Sequence, residues 1–464
     1  MDESNLTLVS ASAEGVLGEY NHSISIDENE AFIIIYGPNG VGKTKFLEII
    51  HALSQLHGYV LSTLPFETAT LTYSDKSELS VSFKTDKGND QAPSEHLASM
   101  HASRTPEYTL RRPNKEPVTW EHKKDDFTIF LEKSDKFEQL SDLYWRDLFD
   151  DQVYHVETLY ERYRRRPRQG QQNSLPDSVQ NFFDKTSSYL IETQRLRAEQ
   201  DTASPQRIRF DRPRPQRSPQ RSRSRINKQA EKIQSLLIEA QTEHSQITQQ
   251  LDRTFPNRVL EAGIRNDESN DLKEEDVRAC YNKQNKFRSR LGQVVSVRLN
   301  SELSLPEGKL DDWALKLLNQ YLEDAQRKFE PFVGLLKKIE LLEQIINGRL
   351  LKKRLRVTAD EGLLVERIGS SESIPLELLS SGEQHEIILM IDLLFNVPKG
   401  SIVLIDEPEI SLHVAWQILF IPDVKQIAEL VGFKFIVATH SPQIINDQWN
   451  RARRLGPEGA SFDA

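Results

Sequence analysis

Phe32-Ile33-Ile34-Ile35-Tyr36-Gly37-Pro38-Asn39-Gly40-Val41-Gly42-Lys43-Thr44 is the stretch whose reading settles the fold. An apolar run, short enough for one buried strand, enters a glycine-rich turn. The turn ends in Gly-Lys-Thr and opens into Lys45-Phe46-Leu47-Glu48-Ile49-Ile50, which reads as a helix. Strand, G-x-x-x-x-G-K-T loop and helix in that order form a phosphate cradle. Backbone N–H groups of Gly37, Asn39, Gly40 and Gly42, with the helix N-terminus, would face phosphate oxygens. Lys43 would neutralise the β- and γ-phosphates, and the Thr44 hydroxyl would ligate Mg²⁺. A chance glycine turn is the alternative, and the strand before and helix after argue against it.

Working outward, Thr7-Leu8-Val9 and Ser23-Ile24-Ser25-Ile26 alternate as strands, with a turn at 27–30. Tyr20 is either an adenine contact or, the better reading, a sheet-edge tyrosine. Residues 69–73 and 79–83 flank Ser74-Asp75-Lys76-Ser77-Glu78 as a hairpin. Residues 86–125 carry Pro93, Pro106, Pro113 and Pro117 and read as irregular, with Phe127-Thr128-Ile129-Phe130 as a candidate strand. Residues 135–165 show helical spacing of Phe137, Leu140, Leu143, Tyr144 and Leu148, then a basic cluster. Residues 203–225 mix eight arginines with prolines and serines, a composition that blocks helix and sheet and predicts a mobile basic loop. Residues 226–253 and 311–350 have helical periodicity, with Pro331 expected to interrupt or kink the second. Together they suggest an antiparallel pair. Residues 352–378 return to strands.

The remaining chemistry lies near the end. Leu379-Ser380-Ser381-Gly382-Glu383-Gln384 precedes an apolar helix. Ser380, Ser381 and Gly382 offer hydroxyls, N–H groups and a helix N-terminus to an anion. Ser380 and Glu383 are equally the two ends of a capping box. Ser401-Ile402-Val403-Leu404-Ile405-Asp406-Glu407-Pro408 is a buried strand ending in two carboxylates. Asp406 would hold Mg²⁺ through water, and Glu407 would orient or deprotonate the attacking water. Phe433 to Ser441 is another such strand, ending in His440, whose imidazole can bond the γ-phosphate or that water.

Composition bounds the setting. The 464 residues suffice for two or three structural units. Charged residues make up 28%, and the mean hydropathy is −0.57, as expected of a soluble protein with long charged helices. No run is long and apolar enough to span a membrane, the N-terminus lacks a signal-peptide layout, and Cys280 is the single cysteine. A reducing cytoplasm fits, with no membrane contact. At a net charge of −10, any nucleic-acid surface would have to be a local patch.

The order of loop, S-S-G-E-Q, D-E-P and T-H-S resembles the ABC-type ATPases: Walker A, signature, Walker B with catalytic Glu, and H-loop. The fold this implies is α/β: an ABC-type P-loop ATPase head, a mixed sheet with flanking helices, plus an inserted antiparallel helical or short coiled-coil arm. Gln194, after the apolar run Tyr189 to Glu192, fits the Q-loop glutamine that contacts Mg²⁺ and the attacking water. The resemblance implies two ATPs sandwiched in a head-to-head dimer or higher homo-oligomer. Ser380, Ser381, Gly382 and Glu383 would serve the partner's Walker A in trans, and residues 409–413 match the D-loop. The expected divisions are an ATPase lobe I at 1–85, an insertion of uncertain fold at 86–180 and the Q-loop strand at 181–200. A mobile Arg/Pro/Ser loop at 201–225, a helical arm at 226–350 and lobe II with the rest of the core at 351–464 complete them.

The inserted charged helices resemble the SMC/Rad50/RecF side of that family. Leu379 to Gln384 with Asp406 to His413 is most similar to the OLD-like prokaryotic ATPases, which include the ATPase subunits of the PARIS (AriA) and Septu (PtuA) antiphage systems. The strings 191–196 and 251–256 look like these too. OLD nucleases continue into a TOPRIM domain, whereas about 25 residues follow His440 here, too few for another domain. The resemblance therefore implies an ATP-hydrolysing sensor or scaffold that controls a separate TOPRIM- or HNH-type nuclease effector in answer to a phage-encoded trigger protein. The alternative is a RecF/SMC-like DNA-repair ATPase, whose Arg162–Arg168 and 207–225 segments would contact nucleic acid with steep salt dependence.

Overall fold

The computed structural model describes residues 6–27, 30–84, 104–121, 131, 134, 136–139, 144–148, 152–155, 159, 177–183, 185–192, 224–264, 273–295, 305, 307–370, 372–410 and 412–456. In chain order the elements begin with β1 Leu8–Val16, β2 Tyr20–Ser25, β3 Phe32–Tyr36, α1 Lys43–Ser54 and α2 Gly58–Thr63. Strands β4 Thr68–Tyr73, β5 Glu78–Lys84, β6 Thr105–Arg111, β7 Val118–Glu121, β8 Phe137–Gln139, β9 Tyr144–Asp147 and β10 Gln152–His155 follow. Next come α3 Asp177–Phe183, β11 Ser188–Glu192, and three long helices, α4 Arg225–Ile264, α5 Glu274–Val295 and α6 Asp312–Asn347. The chain closes with β12 Lys353–Thr358, β13 Gly362–Arg367, β14 Ser373–Ile374, α7 Ser381–Ile391, β15 Ile402–Asp406, α8 Val414–Val431, β16 Lys434–Thr439, α9 Pro442–Ile445 and β17 Ala452–Arg454.

These fall into two units, one joining residues 1–210 to 397–464, the other spanning 211–396. The first is built on a parallel five-stranded sheet in the order β11-β15-β16-β3-β17. Its inner strands β15, β16 and β3 are mostly apolar because both faces are covered: β15 is buried at every position and β3 at four of five. A six-stranded antiparallel sheet, β2-β1-β4-β5-β6-β7, alternates instead, as in the buried Ala69, Leu71 and Tyr73 of β4. Helix α1 packs on strands of both sheets. That explains why Phe46, Leu47, Ile49, Ile50 and Leu53 are all buried, a wide apolar face opposite the half-buried Thr44, Lys45, Glu48 and His51.

Two expectations are corrected in this unit. Residues 135–165 do not form the predicted helix where they are described: β8, β9 and β10 make a three-stranded antiparallel sheet. Phe137, Tyr144 and Trp145 are strand-favouring aromatics, and burial of Trp145 and Asp147 follows a two-residue repeat. Spacings of three and four among Phe137, Leu140, Leu143, Tyr144 and Leu148 satisfied the helical template without a helix. Residues 105–121, read as irregular, supply β6 and β7, so the antiparallel sheet continues past residue 85. Among the described residues β7 pairs with β6 only from Glu107 onward, and Pro106 has its ladder partner, Phe83, on the β5 side. The strand proposed at 127–130 and the basic loop at 203–225 lie outside the described residues, apart from Ser224 and Arg225.

The second unit holds the arm. It contains three long helices instead of two, because α5 carries a weak apolar face that periodicity alone did not separate. Its buried residues are Val277, Leu291 and Val294. Helices α4 and α6 run antiparallel: Asp252 accepts from Lys328 at 2.6 Å, and Arg258 donates to Asp324 at 2.6 Å. Pro331 does not divide α6, which is one helix of 36 residues. Strands β12, β13 and β14 form a small sheet on which α4, α5 and α6 pack. The division between units after residue 396 places β12–β14 and α7 with the arm, whereas the sequence grouped them with the C-terminal core.

Candidate active site

The parallel sheet aligns its strand ends. Glu192, Asp406, Ala438, Ile35 and Arg453 form one row of paired residues across β11, β15, β16, β3 and β17. The segments that carry chemistry leave the sheet just beyond that row, at the carboxyl ends of parallel strands, where open α/β sheets place their ligands.

From β3, Gly37 begins the loop. A Cβ there would overlap the Leu455 carbonyl oxygen, so only glycine lets the loop pass β17. Gly42 has φ +87° and caps α1, and a Cβ would meet Val16 Cγ1 at 2.8 Å. Asn39 and Gly40 are exposed at the tip. His22 of β2 braces the loop by donating from Nε2 to Val41 O at 2.7 Å. Burial lowers the His22 pKa, which suits the neutral ring. Tyr20 opens the edge strand β2 and stacks on His22, the sheet-edge role expected of it.

Lys43 is buried and donates from Nζ to Gly37 O and Pro38 O, each at 3.0 Å. Burial lowers its pKa, while Glu407, Asp406 and Glu409 pull it back up. Thr44 Oγ1 donates to Asp406 Oδ2 at 2.9 Å, joining the loop to the end of β15. Burial, with Glu407, Glu48 and Glu409 nearby, pushes the Asp406 carboxyl up to about 7 against that hydrogen bond. Such an oxygen pair under excess negative charge suits a hard cation, and the loop's N–H groups and Lys43 suit a polyphosphate. Among the described residues no group of three or more His, Cys, Asp and Glu could hold a metal ion. The remaining positions around Mg²⁺ would fall to phosphate and water.

Glu407 sits at φ +44°, and its N–H donates to Ala438 O at 2.8 Å, extending the ladder past the strand. Its Oε1 lies 3.2 Å from His440 Nε2. His440 Nδ1 lies 3.4 Å from Lys43 Nζ. An ammonium can only donate and a carboxylate only accept, so the ring between them is the neutral Nε2–H tautomer. Burial, then Lys43, lowers the His440 pKa against Glu407 and Glu409, in agreement with that form.

The sequence missed Glu409, which it placed only in the D-loop segment. Glu409 Oε1 accepts from Thr439 Oγ1 at 2.8 Å, His440 N at 2.6 Å and Ser441 N at 3.2 Å. Gln417 of α8 adds a link, accepting at Oε1 from Ser441 Oγ at 2.7 Å. The one signal was a further acid directly after D-E-P. Gln194 lies outside the described residues; β11 ends two positions before it, paired with β15.

In the other unit, Ser380 and Ser381 are exposed at the start of α7, with Gly382 beside them. Ser380 and Glu383 form the capping box that was the alternative reading. Glu383 also accepts from Lys353 at 2.9 Å. Burial raises its pKa, but Lys353 and Ser380 outweigh that and hold it low.

The family described as "AAA ATPase domain" matches residues 18–445. No curated protein matches. Among solved structures, the Smc head domain with an extended coiled coil bound to the C-terminal domain of ScpA from Pyrococcus furiosus aligns with 95% of this chain and 91% of its own. The identity is 13% and the TM-score 0.34. The SMC head domain from Thermotoga maritima covers 96% and 92%, at 10% identity and a TM-score of 0.30. Likeness at this level adds nothing to what the strand order already shows. None of the described helices is long and apolar enough to cross a membrane.

Proposed function

As the chain belongs to the AAA ATPase domain family, we propose that it binds ATP at Gly37 to Thr44 and hydrolyses it with Glu407 as general base. The observation that carries this reading is the continuous contact Lys43–His440–Glu407 beside Thr44–Asp406 at the ends of adjacent strands. Water attacks the γ-phosphorus, its proton passes to Glu407, and the bond to the bridging oxygen breaks to leave ADP and phosphate. His440 donates to Glu407 and fixes its direction, while Lys43 offsets charge on the phosphates. Mg²⁺, held by Thr44, Asp406 and Gln194, would supply charge neutralisation on the phosphate oxygens. Glu407→Gln should retain ATP binding and lose phosphate release by about 10² or more, and Lys43→Ala should lose binding. Equal phosphate release by Glu407→Gln and wild type would overturn the assignment of the base.

The finer reading is an ATP-driven sensor or scaffold of an antiphage system that controls a separate nuclease. It is supported by the likeness of residues 191–196, 379–384 and 406–413 to OLD-like ATPases. Ser381 and Gly382 would then complete the site of a second copy. The test is co-expression with the product of an adjacent nuclease gene: phage-dependent toxicity that disappears with Lys43→Ala supports the reading, and toxicity indifferent to Lys43 removes it.

A further inference from the structure

Glu409 makes no hydrogen bond to the nucleotide loop among the described residues, yet one of its oxygens receives three donors from three consecutive residues. Those residues are Thr439, the last of β16, and His440 and Ser441, which leave the sheet. We propose that Glu409 is a positioning residue for His440, setting the imidazole between Lys43 and Glu407 by gripping the backbone that carries it. This rests on the ATPase reading above for its kinetic consequence, but not for the grip itself.

The geometry is hard to explain as ordinary capping. Ser441 already caps α9 with its own side chain, accepting from Gln443 N at 3.3 Å, so α9 has its N-terminal partner without Glu409. The His440 amide, by contrast, has Glu409 as its acceptor at 2.6 Å, the shortest of the three contacts. A carboxylate that accepts from N–H groups makes bonds stronger than neutral pairs. Glu409 lies in the short 3-10 turn Pro408–Ile410, fixed at its start by Glu407 N–H bonding to β16. The base and the residue that aims its histidine are therefore two positions apart on one turn, closed by Ile410 N–H donating to Glu407 O. Gln417 acts in parallel, from α8 to the Ser441 hydroxyl, and accounts for the far end of the same segment.

Because all three donors meet Oε1, an amide oxygen can replace it. Oε2 is buried and takes no hydrogen bond among the described residues, so exchanging it for NH₂ breaks none. The chemistry therefore separates Gln from Ala at this position. The experiment uses the full chain with Glu409→Ala, Glu409→Gln, His440→Ala and the double variant Glu409→Ala/His440→Ala.

Amide hydrogen exchange reads the grip without any need for turnover. Glu409→Ala should speed exchange at His440 and Ser441 by about tenfold or more, while Glu409→Gln keeps most protection. Unchanged exchange in Glu409→Ala would overturn the proposal whether or not the protein hydrolyses ATP. Phosphate release then reads the consequence. Glu409→Ala should lower kcat by about tenfold or more with KM changed by less than about twofold. Glu409→Gln should recover most of the loss, and Glu409→Ala should add nothing once His440 is already Ala. Multiplicative losses in the double variant would show that Glu409 acts on its own and sink the positioning role. Failure of wild type to hydrolyse ATP would count against the function proposed above, while the exchange result would still decide whether Glu409 holds His440.

Discussion

Glu407 occupies the left-handed backbone region at φ +44°, where a non-glycine residue is disfavoured by about 1–2 kcal/mol. The turn that aims its carboxylate at His440 is therefore held by the ladder bond to Ala438 against a local preference. Asparagine tolerates this region better than glutamate. Glu407→Asn should raise unfolding stability by about 0.5–1 kcal/mol while abolishing phosphate release, as read by urea midpoint and a phosphate assay. Loss of stability in Glu407→Asn would mean that the glutamate contacts outweigh the backbone cost. The sequence exposed this residue plainly, since an apolar strand ending in two acids has few other readings. It could not expose the conformation, which depends on where β16 ends in space.

At the scale of elements, the arm joins its helices through polar pairs beside its apolar stripe. Asp324 on α6 is 5% exposed and is gripped by both Nη atoms of Arg258 on α4. Burial pushes its pKa up, but Arg258 overcomes this and the net position is below the ordinary value. Stability from a lowered carboxyl is fully present above its unfolded value near 4 and is lost as pH falls through the folded value. Asp324→Asn should therefore cost about 1–3 kcal/mol at pH 7 and progressively less in acid, measured by denaturant melts of the helical circular dichroism signal. A pH-independent penalty would remove the ion pair as its cause. Helices were legible where apolar periodicity was dense, as in α4 and α6. They were not legible in α5, whose buried residues are sparse, and a few well-spaced aromatics and leucines gave a false helix at β8 and β9. The parallel strands β3, β15 and β16 were the clearest of all, because a strand buried on both faces has no polar alternation to obscure it.

At the scale of the whole molecule, the candidate residues divide between the two units: Gly37 to Thr44, Asp406, Glu407 and His440 in one, Ser380 to Glu383 in the other. If a second copy completes each site, Glu407→Gln with ATP and Mg²⁺ should shift in light scattering to a dimer or larger species. Ser381→Arg should block that shift, and a mass unchanged by ATP would count against composite sites. A different consequence follows from β3 lying against β16 in the register Phe32↔Phe435. The neighbours of this strand are synthesised roughly 400 residues after it, which at ribosomal rates of about 5–20 residues per second is a delay of roughly 20–80 s. For that time Phe32-Ile33-Ile34-Ile35 is an unpaired, strongly apolar segment on a nascent chain. The arrangement that seats the nucleotide loop between β16 and β17 also leaves its strand without either ladder partner until the end of the chain is made.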